Sequence, residues 1–398
     1  MQHKADPCYH QPSEACLLDG QLPLPAAIIR QSALHNNIHW MQTFAERAGV
    51  KLAPHGKTSM TPEIFKRQLV AGAWGLTVAT PYQATIAAQA GASKIILANQ
   101  LVGQGNMAII ANLLKQGVTV YCCIDDATNV QQLSAFFSQQ DCQLPCLIEL
   151  GTLAGRCGLR HGDACLSLAS EIQQSAGLLL AGLEFYEGIA KDEAGVRQWV
   201  AEAAALCLQL QQHFIAPRTA LLTGAGSVWY DIVAEVLKSL PTQHGMEVVL
   251  RPGCYISHDH QLYAKAQQQV MARSALAQQL GGDLQPALEV AAFVQSLPEP
   301  GLAVLGLGKR DIAHDAGMPQ VLALYRDGKR LPFDPANGQT ERIMDQHCFW
   351  PYPADLQLQV GDVVLLGGSH PCLTFDKWRS IWLVDDAYRP LLAMETRF

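Results

Sequence analysis

Short apolar runs and longer amphipathic stretches alternate along the first two thirds of the chain. The apolar runs fall at 26–30 (AAIIR), 50–54 (VKLAP), 74–79 (WGLTVA), 94–98 (KIILA), 118–124 (VTVYCCI), 145–150 (PCLIEL), 179–186 (LLAGLEFY), 219–223 (TALLT) and 246–251 (MEVVLR). Their length and content suit strands. The alanine- and glutamine-rich segments between them, such as 60–72, 104–116, 163–176 and 193–213, carry helical periodicity. Repeated βα units of this size predict a parallel sheet with right-handed crossovers. Nine runs are one too many for an eight-stranded barrel, so the first is assigned to a lead-in or to a second domain. Periodicity alone does not separate a closed barrel from an open doubly wound sheet. Beyond about residue 265 the helical period fades. LEVAAFVQSL, LAVLGLG, QVLALYRDG, DVVLLGGSH, SIWLVDD and RPLLAMET follow, separated by Gly-, Pro- and Asp-rich turns, and predict a mostly β domain.

Composition narrows the class. A chain of 398 residues, 49% hydrophobic and 16% charged, has ample material for a large core and a length typical of two domains. The net charge of −7 and the lack of a basic run argue against a nucleic-acid partner. No apolar stretch is long enough for a membrane span, and the N-terminus lacks the apolar centre of a signal peptide. The expectation is a cytoplasmic protein without a membrane partner. Twelve cysteines without any CxxC pair are expected to be buried small hydrophobes rather than disulfides or finger-type zinc ligands.

Five segments at the ends of expected strands carry the candidate chemistry. Pro54-His55-Gly56-Lys57-Thr58 offers an amine, the one side chain that condenses with an aldehyde cofactor, provided that it is desolvated. Glu149 to Arg160 (ELGTLAGRCGLR) offers Arg156, which can donate to a ring nitrogen or a carboxylate. Tyr186-Glu187-Gly188 offers an aromatic hydroxyl. Thr223-Gly224-Ala225-Gly226-Ser227, ahead of a helix at 228–238, lets backbone N–H groups approach an anion. Arg251 to Tyr255 (RPGCY) places a second tyrosine hydroxyl within reach of the same anion. Taken singly, each reads equally well as a surface lysine, a salt-bridged arginine, a core aromatic or an ordinary turn. All five fall on the C-terminal edge of the strands, where barrel active sites sit, and that agreement points to a phosphate-bearing cofactor anchored by a lysine.

PHGKT, GTLAGRCG, FYEG, TGAGS and RPGCY, in this order, resemble the fold-type III pyridoxal-phosphate (PLP) enzymes, and within them the D-threonine aldolase/D-serine dehydratase group with its alanine racemase-like barrel. The resemblance covers about residues 25–396. It implies a (β/α)8 TIM-type barrel at 25–265 and a mostly β domain made of 1–24 and 266–398. It implies Lys57 as the catalytic Schiff-base lysine and His55, Arg156, Tyr186, Thr223, Gly224, Gly226, Ser227 and Tyr255 around pyridoxal 5'-phosphate. A homodimer and a small D-amino acid substrate are implied in the same way. The glycine loop departs from the Gly-Ser-Thr-Pro form more common in the group.

Near the C-terminus, Gly-Ser-His370-Pro-Cys372 sets an imidazole and a thiol two positions apart, on one side of an extended chain, and that donor pair suits Zn2+. Dehydratases of the group carry such a His-x-Cys pair, and its aldolases a His-x-Asp pair for a divalent metal. His347 (MDQHCFW) falls where the group usually has a histidine, and Asp376 is a candidate to orient a metal ligand. The expected activity is dehydration and deamination of D-3-hydroxy amino acids to a 2-oxo acid and ammonia. The alternatives are a metal-dependent D-threonine aldolase and, from another class, a non-catalytic PLP-binding protein.

Overall fold

The computed structural model describes residues 16–20, 22–190, 192–213 and 219–398. The assignment of residues 1–15 to the β domain lies outside them.

The first strand, β1 (Ala26–Arg30), leads into the helix Gln31–Arg47. Eight parallel strands follow: β2 (Lys51–Leu52), β3 (Leu76–Val78), β4 (Lys94–Gln100), β5 (Thr119–Ile124), β6 (Leu144–Leu150), β7 (Leu178–Phe185), β8 (Leu221–Gly224) and β9 (Glu247–Leu250). Their order is β2-β9-β8-β7-β6-β5-β4-β3. The ring closes between its ends, where Trp74 N–H donates to the Leu52 carbonyl at 2.8 Å and Thr77 N–H to the Pro54 carbonyl at 2.9 Å. The sheet is therefore a barrel, which settles the choice left open by periodicity.

Strand alternation explains the layering. Ala53, Ile96, Leu147, Leu221 and Val249 form a separate cluster inside the barrel, while Ile95, Leu97, Cys146, Ile148 and Leu222 face the helices. Strands buried on both faces read as continuous apolar runs, as observed in the sequence.

The second domain holds β10 (Leu288–Glu299), β11 (Leu302–Leu305), β12 (Gln320–Arg326), β13 (Lys329–Arg330), β14 (Arg342–Ile343), β15 (Cys348–Pro351), β16 (Val363–Gly367), β17 (Ser380–Val384) and β18 (Pro390–Glu395). The surplus first run belongs here: β1 lies between β10 and β17, antiparallel to the first and parallel to the second. Ala26, Ile28, Ala291, Val363 and Leu365 pack under Leu17 and Leu18 on one face. Ala27, Ile29, Val290, Val364 and Leu366 join the main core on the other.

Two boundaries differ from expectation. The barrel range drawn from residue 25 includes β1, which pairs in the other sheet. Helical structure also continues past 265, in Leu262–Arg273 and Ala275–Leu280. The first of these buries only Ala266, Gln267 and Val270 along a glutamine-rich segment, so it shows little apolar period. The eleven described cysteines are free thiols, six of them fully buried in strands or helices (Cys122, Cys123, Cys146, Cys165, Cys207 and Cys348). No helix among the described residues is long and apolar enough to cross a membrane.

Candidate active site

The turn after β2 carries the lysine. Gly56–Thr58 forms one 3-10 turn whose Gly56 and Thr58 are buried while Lys57 projects from the barrel rim. The turn is held from two directions. The short helix Cys372–Phe375 of the β domain packs against it. The N–H of Arg397, just past β18, donates to the Met60 carbonyl at 2.8 Å. Lys57 therefore opens on a cavity of about 260 Å³ between the barrel mouth and the β domain.

His55, Lys57, Arg156, Tyr186, Gly226, Ser227, His370 and Cys372 all line this cavity, together with Thr58, Glu149, Glu184, Arg251, Gly253, Cys254 and Tyr263. Three expected residues do not. Thr223 is buried in β8 with its hydroxyl donating to the Val249 carbonyl at 2.9 Å. Gly224 ends that strand against the Phe185 ring, where a Cβ would come within 2.5 Å of it. Tyr255 is buried behind the wall, its hydroxyl accepting from Gln68 Nε2 at 3.0 Å. A single 3-10 turn after β9 places Cys254, rather than Tyr255, at the cavity.

The electrostatics favour a reactive amine. Burial lowers the Lys57 ammonium below the ordinary lysine value. Cys372 opposes this, and Arg156 and Arg251 reinforce it. His55 is half-buried, and burial, then the charges of Lys57, Arg251 and Arg156, hold its imidazole well below the ordinary value. Its Nδ1 has no hydrogen-bond partner, so one polar atom in the cavity wall is available to a bound group. The Arg156 guanidinium lies 4.1 Å above the Tyr186 ring. The Tyr186 side chain folds back over Gly188, where a Cβ would come within 2.2 Å of its hydroxyl, so the glycine of FYEG is a steric requirement.

The glycine loop works differently from expectation. The N–H groups of Ala225 and Gly226 donate to the buried Glu187 carboxylate, at 3.0 and 2.7 Å, so the loop already holds an anion from its own chain. Ala225 adopts φ +72° there, and its carbonyl accepts from the Arg251 N–H at 3.2 Å. The N–H groups of Gly253 and Cys254 instead converge on Ser227 Oγ, both at 3.2 Å. Two donors meeting at one oxygen is the arrangement a phosphate oxygen takes.

Two carboxylates missed by motif reading, Glu149 on β6 and Glu184 on β7, sit side by side in register. Burial, then repulsion from Glu184, raises the Glu149 carboxyl to about 7, against a 2.6 Å hydrogen bond from Gln100. Glu184 pairs with the buried Arg251 guanidinium, which also donates to the Phe185 carbonyl at 3.1 Å. Removal of one partner leaves the other charge buried. Glu184→Gln or Arg251→Met alone is expected to lower the unfolding free energy by about 3–5 kcal/mol, and the double replacement to recover most of it. Denaturant titration checks this; additive losses would mean that the two charges do not depend on each other.

At the β-domain wall His370 Nδ1 meets Asp315 Oδ2 at 2.7 Å. Cys372 Sγ lies 3.6 Å from Cys254 Sγ and 3.5 Å from the Thr58 hydroxyl. Hydrogen bonding with Cys372 and then Asp315 raises the His370 imidazole to about 9, against burial. Contact with Cys254, then with His370 and Thr58, pulls the Cys372 thiol down. His370 and Cys372 are not on an extended strand: Pro371 breaks the chain, and Cys372 opens a helical turn. The residue orienting His370 is Asp315, not Asp376, whose nearest charged partner is Lys377 at 4.0 Å. Nothing in DIAHDAG suggested this, because the contact is made only by folding. His347 is exposed on the hairpin joining β14 and β15. Phe375 and Trp378 are buried in the core.

Fold and site together define an alanine racemase-like barrel enzyme architecture with a lysine at the strand edge. Residues 29–247 match the family described as alanine racemase, N-terminal domain, and the chain belongs to it. Residues 287–384 match a putative serine dehydratase domain. The chain is 28% identical to D-threonine aldolase from Arthrobacter sp over 75% of its length and 74% of that protein. Its fold matches the crystal structure of D-threonine aldolase from Filomicrobium marinum (TM-score 0.80, 24% identity, 97% of this chain and 98% of the other). It also matches D-threo-3-hydroxyaspartate dehydratase from Delftia sp. HT23 (TM-score 0.73, 19% identity, 96% and 99%). That dehydratase has also been solved with a histidine replaced and, two positions further on, with a cysteine replaced, the latter in the metal-free form.

Proposed function

We propose that this protein is a PLP-dependent enzyme that removes water and ammonia from D-3-hydroxy amino acids such as D-serine and D-threonine, giving a 2-oxo acid. The observation that carries the reading is the meeting, in one cavity, of a lysine at the barrel rim with an imidazole–thiol pair from the other domain. The cavity suits PLP: Lys57 offers the anchoring amine, His55 an unpartnered ring nitrogen, and Ser227 with the N–H groups of Gly253 and Cys254 a cradle for the phosphate. Bound PLP supplies an electron sink for charge left at the substrate Cα. Lys57 Nζ is then the base that takes the Cα proton, and burial keeps a larger share of it neutral at physiological pH. Arg156, held over Tyr186, is the donor available to the ring or to a substrate carboxylate.

His370 and Cys372 would hold a divalent metal, with Asp315 fixing the imidazole so that Nε2 remains for the ion. A metal ion held there would supply Lewis acidity toward a substrate hydroxyl, and a thiolate ligand would suit zinc. The cysteine supports dehydration over cleavage, as does the matching two-residue spacing of the histidine and cysteine replaced in the Delftia dehydratase.

The second reading is an aldolase that breaks Cα–Cβ. It is supported by the Arthrobacter relative, which aligns with 75% of the chain at 28% identity. Incubation of the PLP- and zinc-loaded protein with D-threonine separates the two readings. The expected products are 2-oxobutanoate and ammonia. Glycine and acetaldehyde in their place would establish the aldolase. No turnover of D-threonine or D-serine, with PLP bound, would leave a cofactor-binding protein.

A further inference from the structure

We propose that Cys254 is a third protein ligand of the metal held by His370 and Cys372, which makes the centre a Cys2His site with one position open. The inference rests on the metal reading above and extends it to a residue of the other domain. Cys254 follows β9 on the barrel, whereas Cys372 sits on the loop between β16 and β17. Their sulfurs lie 3.6 Å apart at the same cavity wall. Two sulfurs bound to one zinc at about 2.3 Å in a tetrahedron are separated by about 3.8 Å, so the pair already spans one edge of such a site. A disulfide needs about 2.05 Å.

The backbone beneath Cys254 is fixed by its N–H bond to Ser227, so its sulfur is presented by a rigid loop. Cys372 is fixed by its helical turn against the Lys57 turn. Tyr263 lines the same cavity wall as Cys254, and its ring lies edge-on to His370 at 6.4 Å. The His370 ring is about a quarter exposed, and the three donors do not yet lie within 4.8 Å of one another. Closure of the site thus requires a swing of the imidazole toward Cys254. Three protein ligands and one open position are the pattern of catalytic zinc, and two thiolates exclude magnesium, calcium and manganese as good occupants. On binding, both thiols ionise, and their protons pass to solvent.

Zinc K-edge X-ray absorption of the PLP- and zinc-loaded full chain counts the sulfur neighbours without reference to turnover. Two sulfurs are expected in the unaltered protein and one in Cys254→Ser. One sulfur in the unaltered protein, lost in Cys372→Ser, would overturn the role of Cys254 and leave the His370–Cys372 site standing. Two sulfurs that persist in Cys254→Ser would also overturn it. Zinc without sulfur neighbours, or no zinc bound, would remove the metal reading together with the inference. The spectrum of the unaltered protein decides even where a variant does not fold.

Discussion

Lys57→Ala is expected to lower turnover by roughly 10³-fold or more, since on the proposed function one change removes both the cofactor's anchor and the proton acceptor at Cα. It is the one lysine among the residues that line the cavity, so no neighbouring amine takes over. The visible absorption of lysine-bound PLP should vanish in the same variant, while the far-ultraviolet spectrum stays native. Lys57→Arg should behave like the alanine variant despite retaining the charge, because a guanidinium neither condenses with an aldehyde nor accepts a proton near neutral pH. In the unaltered enzyme, turnover should fall on the acid side as Lys57 Nζ protonates, at a pH below that of an ordinary lysine. Retention of the visible band and of turnover in Lys57→Ala would reject this lysine as the anchor.

Removal of the metal site should have a different signature. His370→Ala, Cys372→Ala and chelation of the unaltered enzyme are each expected to lower turnover by roughly 10²-fold or more. The visible band of bound PLP should persist in all three, because the proposed anchor Lys57 lies on the barrel and His370 and Cys372 lie on the β domain. Zinc restores only the chelated unaltered enzyme. Loss of PLP on chelation would mean that the metal holds the cavity together rather than serving the leaving group.

The barrel was legible in the sequence because parallel strands buried on both faces leave uninterrupted apolar runs, such as LPCLIEL of β6. The β domain was legible from short runs between turns. Partnership between distant segments was not. The run AAIIR reads like any barrel strand, and only its neighbours β10 and β17 place it in the other sheet. The site shows the same division. Lys57, Arg156, Tyr186, Ser227, His370 and Cys372 lie in motifs whose local turn alone sends them to the cavity. Asp315 and Cys254 meet His370 and Cys372 only through folding; nothing local marks Asp315, and RPGCY drew attention to Tyr255 rather than to Cys254. The glycine loop was misread for a related reason. Its N–H groups do bind an anion, but that anion is the carboxylate of Glu187, supplied by the FYEG segment.

The central position of β1 bears on how the chain is made. Ile28 pairs with Trp382, so β1 must wait for a partner made about 350 residues later. At ordinary elongation rates that interval is roughly 20–70 s. Until β10 is made the nascent chain displays AAIIR without neighbours on either edge, and until β17 is made one edge stays open, beside a barrel whose strands already find theirs in order. Chaperone capture of this segment during translation, and aggregation of chains released before β17, follow from the topology rather than from any weakness of the finished fold.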